Sequence, residues 1–328
     1  MQKIKLGLIG VGGQGRNHLL NCLRFKGASL LAAADISKKA LLLAKRRGVK
    51  NLYYNYEKLL KNENIDAVII ALPNFLHLES AIRSAEAGKD ILLEKPLAIN
   101  VEEGRKILSS VKKNGVNLML GYPFRFHNSF IKMHERIADG YFGEVHIVDA
   151  TNVSCGPFSA RSNHEGPSPV PSWWFQRKRS GGGALLDLGS HLINLLIWYF
   201  GEIVDARSYL GHTFYMDLED YAIGILKFKN GPIGIVKVGW FSKDFNLSIQ
   251  VVGTAKNSSI NFERSSLKLA LNPIRAKIGD FNYDLSYKEL KYFLECLQLN
   301  ISPAPSGEEG LMDLRAISML YKNSTNIT

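Results

Sequence analysis

Short apolar runs alternate with amphipathic stretches along the first third of the chain. Lys3 to Ile9 is strand-like, and a glycine-rich turn then leads into a helical stretch ending near Phe25. Ser29 to Ala34 is a second buried run, Lys38 to Arg47 a helix rich in Lys and Leu, and Tyr53-Tyr54 a weak third strand. Asp66 to Ala71, bounded by Pro73, predicts a fourth strand, followed by a helix from Phe75 to Ala87 that Gly88 closes. Ile91 to Leu93, Glu102 to Lys113 and Asn117 to Leu120 continue the series as strand, helix and strand. Strands apolar on both faces and alternating with helices predict a parallel sheet with right-handed crossovers. Residues 1–122 therefore read as an α/β doubly wound (Rossmann) unit. Ligands of such sheets bind at the carboxyl ends of the strands. Four unusual turns fall there: the glycine loop, the turn at Pro73, Glu94-Lys95-Pro96, and Gly121 to Arg125.

Beyond Phe126 the texture changes. A helix is predicted from Asn128 to Ala138 and a strand from Glu144 to Val153. The polar stretch Gly156 to Pro171 is long for a passive connection and predicts a binding loop or local disorder. Gly183 to Phe200 reads as one apolar helix. From Ile203 to about Leu271, β-rich runs are separated by turns, clearest at Asn230-Gly231-Pro232 and Gly253-Thr254, which predicts a mostly antiparallel sheet. Helical segments Asp284 to Leu299 and Glu308 to Tyr321 close the chain. At 328 residues the chain spans two domain lengths, so 123–328 is expected to form a second, α+β unit.

Composition narrows the class. Hydrophobic residues make up 46% and charged residues 22%, as in an ordinary globular protein. The richest apolar stretch, Leu185 to Phe200, is interrupted by Asp187, His191 and Asn194, so no membrane span is expected. Met1 to Lys5 lead directly into a strand with no leader-like pattern, which predicts a cytoplasmic protein. Cys22, Cys155 and Cys296 are odd in number and widely spaced, which suits buried thiols in a reducing compartment rather than disulfides. The net charge of +11 is spread along the chain, with short clusters at Lys45-Arg46-Arg47 and Arg177-Lys178-Arg179. No nucleic-acid-binding pattern accompanies it, so the charge is expected to attract an anionic cofactor or substrate rather than nucleic acid. His146, His164 and His212 lack metal-ligand spacing, and no metal is expected.

Gly10, Gly12 and Gly15 in Gly10-Val11-Gly12-Gly13-Gln14-Gly15 supply a tight turn, close backbone approach to a pyrophosphate, and close helix–strand packing. The helix start then offers free N–H groups to phosphate. Asp35 ends the second strand, where a carboxylate accepts from the adenosine ribose hydroxyls. A carboxylate repels a 2′-phosphate, which favours NAD. Ser37, Lys38 and Lys39 follow directly and are placed to receive such a phosphate, which keeps NADP as the alternative.

Glu94-Lys95-Pro96 lies on the ligand edge, although such a turn is also met as an ion-paired surface feature. Asp187 and His191 sit one turn apart on the predicted helix and share a face; by itself the pair fits a satisfied core histidine equally well. Gly181-Gly182-Gly183 lets the backbone approach a ligand closely. Together with these stand Leu72-Pro73-Asn74-Phe75-Leu76-His77, Leu93-Glu94-Lys95-Pro96-Leu97-Ala98 and Gly121-Tyr122-Pro123-Phe124-Arg125-Phe126. The last piece is Ser180-Gly181-Gly182-Gly183-Ala184-Leu185-Leu186-Asp187-Leu188-Gly189-Ser190-His191. In this order and spacing, over about residues 3 to 200, the chain resembles the glucose–fructose oxidoreductase / inositol dehydrogenase / MocA (Gfo/Idh/MocA) family.

The resemblance implies that Leu72, Pro73, Asn74 and His77 join Gly10, Gly12, Gly13, Gln14, Gly15 and Asp35 around the dinucleotide. Glu94 would reach the nicotinamide-side ribose, and Arg125 the nicotinamide or the substrate. Lys95, Asp187 and His191 would form the catalytic group, with Tyr122, Trp174 and Asn194 beside the substrate. Many members carry aspartate where this chain has Asn194. His127 also stands where a different turn residue is usual. Trp173, Trp174 and Arg177 read equally as the wall of a sugar pocket or as core.

Oxidation of a secondary alcohol moves a hydride to the nicotinamide while the hydroxyl proton leaves. A neutral His191 would take that proton, Lys95 would stabilise charge on the oxygen, and Asp187 would orient the imidazole. Which of Lys95 and His191 is the base stays open. The function expected is hydride transfer between NAD(P) and a sugar, polyol, sugar acid or sugar nucleotide. The alternatives are a dihydrodiol dehydrogenase-like reductase, an enzyme that cycles a tightly held dinucleotide, and a sensor without turnover. Apolar runs such as Ile233 to Val238 suggest that a second subunit covers the sheet, and the resemblance points to a homodimer or homotetramer formed through it.

Overall fold

The computed structural model describes residues 3–158, 170–214, 217–264 and 280–327. It divides into two compact units: Met1–Pro123 with Asp280–Leu311, and Phe124–Gly279 with Met312–Thr328. The expected cut fell after residue 122 with everything beyond it in the second unit, whereas Asp280–Leu311 group with the first. Helix Asp280–Leu299 belongs to the first unit, where it packs on helix Gly13–Arg24 and buries Leu285, Leu290, Phe293 and Leu294. The Arg24 guanidinium lies 4.3 Å over the Tyr287 ring at this contact.

The first unit is a parallel sheet of β1 (Ile4–Ile9), β2 (Ala28–Ala34), β3 (Asn51–Tyr53), β4 (Ala67–Ile70), β5 (Asp90–Glu94) and β6 (Leu118–Gly121). Its order is β3-β2-β1-β4-β5-β6. Ala67, Val68, Ile69 and Ile70 are all buried, which explains why β4 reads as an unbroken apolar run. Connecting helices begin and end on local signals. At Val101–Asn114 the Asn100 side chain accepts from the Glu103 N–H, and Gly115 at φ 63° ends the helix. Strand order reverses between β1 and β4, so a crevice opens at their carboxyl ends. The glycine loop follows one of these strands and Pro73 the other.

The second unit holds a mixed sheet of β7 (Val145–Val153), β8 (Ile203–Gly211), β9 (Tyr221–Phe228), β10 (Ile233–Gly239), β11 (Phe245–Gly253), β12 (Asn257–Arg264) and β13 (Ser324–Ile327). Their order is β12-β11-β7-β10-β9-β8-β13, antiparallel except for the β7–β10 and β8–β13 pairs. Strict alternation puts Val148, Ala150, Leu226, Val236 and Ile249 on the covered face. Helix Gly189–Phe200 packs there on β7 and β10. Ile147, Tyr209, Ile223, Ile225 and Ile233 point the other way and are exposed.

The single helix predicted from Gly183 to Phe200 is broken. Its pieces are Ala184–Asp187 and Gly189–Phe200, with a 57° bend between Arg177–Asp187 and Gly189–Phe200. The Leu188 carbonyl accepts from Asn152 Nδ2 at 3.2 Å, which draws one acceptor away from the helical ladder. Strand β13 was not predicted, because Ser-Thr-Asn-Ile is too short and polar to show a period. No single helix among the described residues is long and apolar enough to cross a membrane. Most of the predicted loop Gly156 to Pro171, including His164, and the β-rich reading from 265 to Leu271 lie outside the described residues.

Candidate active site

In the first unit β1 runs straight into the glycine loop, and helix Gly13–Arg24 starts within it. Gly10 has φ 89°, and a Cβ there would overlap the Ala71 carbonyl oxygen; a Cβ on Gly15 would overlap the carbonyl of Gly10. These two glycines are required by packing. Gly12 is different: nothing lies within 4 Å of where its Cβ would be, so its side is open. It is also the N-cap residue, and no side chain caps the helix. Uncapped N–H groups facing open space fit a dinucleotide pyrophosphate.

Asp35 braces this loop. Its Oδ2 accepts from the Val11 N–H and its Oδ1 from the Ser37 N–H, both at 2.7 Å. The remaining lone pairs of the half-buried carboxylate suit ribose hydroxyls. Lys38 and Lys39 are exposed on the next helix. Ile36, which sequence reasoning passed over, is 91% exposed beside Asp35 and offers an apolar surface to a purine.

Pro73 and Asn74 open the turn after β4, where the Leu76 N–H bonds the Pro73 carbonyl. His77, expected at the cofactor, points its ring into the chain. It is fully buried, with Nδ1 2.7 Å from the Pro96 carbonyl and Nε2 3.0 Å from that of Leu72, and so straps two loops together. Burial holds its pKa below the usual histidine value, against the pull of both carbonyls. A neutral ring donates to only one of them. Leu72 takes part through its carbonyl, and its side chain is half-buried.

Glu94 ends β5 and meets His18, which donates from Nε2 to Glu94 Oε1 at 2.7 Å. The helix after the glycine loop thus orients the acid expected at the nicotinamide side, a link that was not predicted. Glu289, on helix Asp280–Leu299, is 1% exposed. Burial, and then nearby Glu94, push its carboxyl well above the usual carboxylate range. Lys95 is half-buried at the following position, and the Lys95–Pro96 peptide is cis. Tyr122, expected beside the substrate, is 2% exposed and serves as core.

In the second unit, every residue from Gly182 to Tyr199 is buried except Asp187, Leu188, His191 and Trp198. Asp187 Oδ2 accepts from the Trp240 indole N–H at 3.2 Å, and the His191 ring lies 4.8 Å from the Phe124 ring. The turn at Leu188 falls between acid and imidazole, so they do not share one straight helix as predicted. Trp174 is half-buried, with its ring 5.4 Å from Trp173 and 6.4 Å from Trp240.

Arg125 and Asn194, expected at the nicotinamide and the substrate, bind each other. Arg125 Nε donates to Asn194 Oδ1 at 2.8 Å and its guanidinium to the Asn194 carbonyl at 3.3 Å. Asn194 Nδ2 then donates to Asp313 Oδ2 at 2.8 Å. Arg125 is 7% exposed and Asn194 fully buried. The amide thus bridges a buried guanidinium and a buried carboxylate, which lowers the cost of burying the two together.

The triple glycine also has an internal reason. A Cβ on Gly182 would overlap the Tyr321 hydroxyl, and one on Gly183 the Glu219 carbonyl. No described group of His, Cys, Asp and Glu is placed to hold a metal ion. Cys22 and Cys296 are buried and Cys155 half-buried, and burial pushes the Cys22 thiol up to about 12, which makes it inert at neutral pH.

Known proteins match both halves of the chain. Residues 4–122 match the oxidoreductase family model with an NAD-binding Rossmann fold, and residues 130–257 match the GFO/IDH/MocA C-terminal domain. A myo-inositol 2-dehydrogenase from Thermotoga maritima is 26% identical, covering 95% of this chain and 93% of its own length. A levoglucosan dehydrogenase from Pseudarthrobacter phenanthrenivorans is 28% identical over 80% of this chain and 75% of its own. The WlbA dehydrogenase from Bordetella pertussis, solved with NADH and UDP-GlcNAcA, superposes with a TM-score of 0.84 at 23% identity, covering 98% of this chain and 95% of that one. With both halves matched in order, and the glycine loop, the Glu94-Lys95-Pro96 turn and the Asp187–His191 segment placed as described, the chain belongs to the GFO/IDH/MocA oxidoreductase family.

Proposed function

We propose that the chain is an NAD-dependent dehydrogenase or reductase acting on a secondary alcohol or ketone of a polyol, sugar, sugar acid or sugar nucleotide. The observation that carries this is the partial exposure of Asp187 and His191 in a segment buried from Gly182 to Tyr199 apart from these two, Leu188 and Trp198. A partly exposed acid and imidazole add little to such a core, whereas a general base needs access to its substrate. The activities of the Thermotoga and Pseudarthrobacter relatives, on inositol and levoglucosan by name, support the substrate class.

Bound NAD supplies the hydride acceptor. The chain's own residues manage the proton and the charge. His191 in its neutral form accepts the hydroxyl proton. Asp187, anchored by Trp240, orients the imidazole and favours its charged form. Lys95 donates to the same oxygen and stabilises negative charge as it develops. Asp35 favours NAD, because a 2′-phosphate would meet its carboxylate. Lys38 and Lys39 are the residues that would relax this choice.

The apolar outer face of the second sheet supports a homo-oligomer, the covering partner being a second copy of this chain. Despite the net charge of +11, that face carries its own ion pair, Lys237 to Asp149 at 2.8 Å, so two copies can meet there without strong repulsion. The test of function is a panel of polyols, aldoses, uronic acids and nucleotide sugars, each with NAD and with NADP, followed by nicotinamide absorbance. Turnover of a polyol or sugar with NAD is expected. No turnover across the panel by a protein that binds NADH would overturn the proposal.

A further inference from the structure

We propose that Glu219 is a positioning residue that sets the place of Asp187 and His191, an inference that rests on the roles proposed for those two. Glu219 lies just before β9 and is fully buried. Its Oε1 accepts from the backbone N–H groups of Gly183 at 2.9 Å and Leu185 at 3.2 Å, and from the Tyr321 hydroxyl at 2.6 Å. Its Oε2 accepts from the Arg177 guanidinium at 3.2 Å, and its carbonyl takes the Ala184 N–H at 3.0 Å.

The first N–H groups of a helix have no partner within the helix. At Ala184–Asp187 the N-cap residue is Gly183, which has no side chain to help. One residue from a distant part of the chain takes three successive N–H groups there, and its charge complements the helix dipole. Gly182 and Gly183 are the residues whose missing side chains admit Tyr321 and Glu219.

The adjacent residue fixes the other end of the same segment. The Asp220 carbonyl accepts from the Trp240 N–H at 2.7 Å, and the Trp240 indole donates to Asp187. Two consecutive residues therefore hold both the start of the segment and the acid that ends it. A buried carboxylate is costly unless fully satisfied, and an apolar side chain would fill the space at lower cost. Placement of the backbone before Asp187 and His191 is what the carboxylate achieves and an apolar residue would not. Burial, and Glu219 itself, push the Tyr321 hydroxyl well above the usual tyrosine range, so it remains a donor.

The test uses the full chain, 15N-labelled at tryptophan and saturated with NADH. The Trp240 indole resonance, assigned by its loss in Trp240→Phe, reports on Asp187, and Asp187→Asn gives the reference shift. Glu219→Gln is expected to fold, to bind NADH as tightly as the unaltered chain, and to move the Trp240 resonance. It is expected to lower turnover of the fastest alcohol in the panel by roughly tenfold, as a displaced catalytic segment does. Tyr321→Phe removes one donor only and should move the resonance less, in the same direction; it carries the test if Glu219→Gln does not fold. An unmoved resonance in the folded variant overturns the proposal. So does full turnover in Glu219→Gln beside an inactive Asp187→Asn. Full turnover in Asp187→Asn, with the resonance moved in Glu219→Gln, overturns the proposed active site and leaves the positioning by Glu219 standing.

Discussion

The indole of Trp240 donates to Asp187 Oδ2 at 3.2 Å, which ties the candidate catalytic acid to the end of β10 rather than to its own helix. Replacing Trp240 with Phe removes this hydrogen bond and should lower turnover by roughly tenfold, with NADH affinity unchanged in a fluorescence titration. His191→Ala and Lys95→Ala should each cost a factor of about 100 or more in turnover, again with little change in NADH binding. Near-normal turnover in both would remove the catalytic assignment.

Asp35 braces Val11 and Ser37, and its proposed second task is to reject a 2′-phosphate. Asp35→Ser should weaken NAD binding by roughly tenfold, as loss of a charge-assisted hydrogen bond does. It should also raise the NADP-to-NAD ratio of kcat/KM, because Lys38 and Lys39 then act unopposed. An unchanged ratio would show that the lysines do not reach the phosphate position.

Glu289 makes stability depend on pH in a stated direction. Its carboxyl pKa is raised in the folded chain by burial and then by Glu94, while an unfolded glutamate titrates near about 4.3. Below that value both states hold the proton and no difference arises. As pH rises above it, the unfolded state ionises first and the native state loses relative stability. Glu289→Gln should match the unaltered chain in thermal unfolding near pH 4 and exceed it increasingly toward pH 8. A constant offset across that range would contradict the assignment.

Asn194 bridges Arg125 and Asp313, so its amide cannot be replaced by an acid at no cost. Asn194→Asp sets two buried carboxyls together and should lower the unfolding temperature, more at pH 8 than at pH 5. Adding Asp313→Asn restores one donor and one acceptor at the contact and should recover most of the loss. Failure of the double variant to recover would mean that the two sites are not coupled.

Self-association through the second sheet is tested on its outer face. Ile225 pairs in register with Arg207 on one side and Ile235 on the other. Ile225→Lys should shift the chain toward monomer in light scattering after size exclusion. An unchanged mass would place the interface elsewhere.

The parallel sheet was legible because strands such as Ala67–Ile70 are apolar on both faces, and the loops after them carry glycine and proline where ligands bind. Asp187 and His191 were singled out by helical spacing, which the bend at Leu188 interrupts. The partners of His77, Arg125 and Asn194 were not legible, because a buried polar residue satisfied by its neighbours looks, in one dimension, like one that waits for a ligand. Helical spacing set Asn194 one turn from His191, but helix Gly189–Phe200 is surrounded by core and its register alone does not say which turn meets solvent. His18 lay close enough to Gly15 to be noticed. Glu219 did not, because its partners Gly183, Leu185 and Tyr321 are brought to it only by the fold.

The first unit is discontinuous in sequence, and this bears on how the chain is made. Helix Asp280–Leu299 supplies Leu285, Leu290, Phe293 and Leu294 to a unit made of Met1–Pro123 and Asp280–Leu311. During synthesis the nucleotide-binding half must wait, with the surface of helix Gly13–Arg24 uncovered, until nearly the whole chain has left the ribosome. Met312–Thr328, which belong to the second unit, emerge later still, so each half depends on a late segment and neither is complete before the end of synthesis.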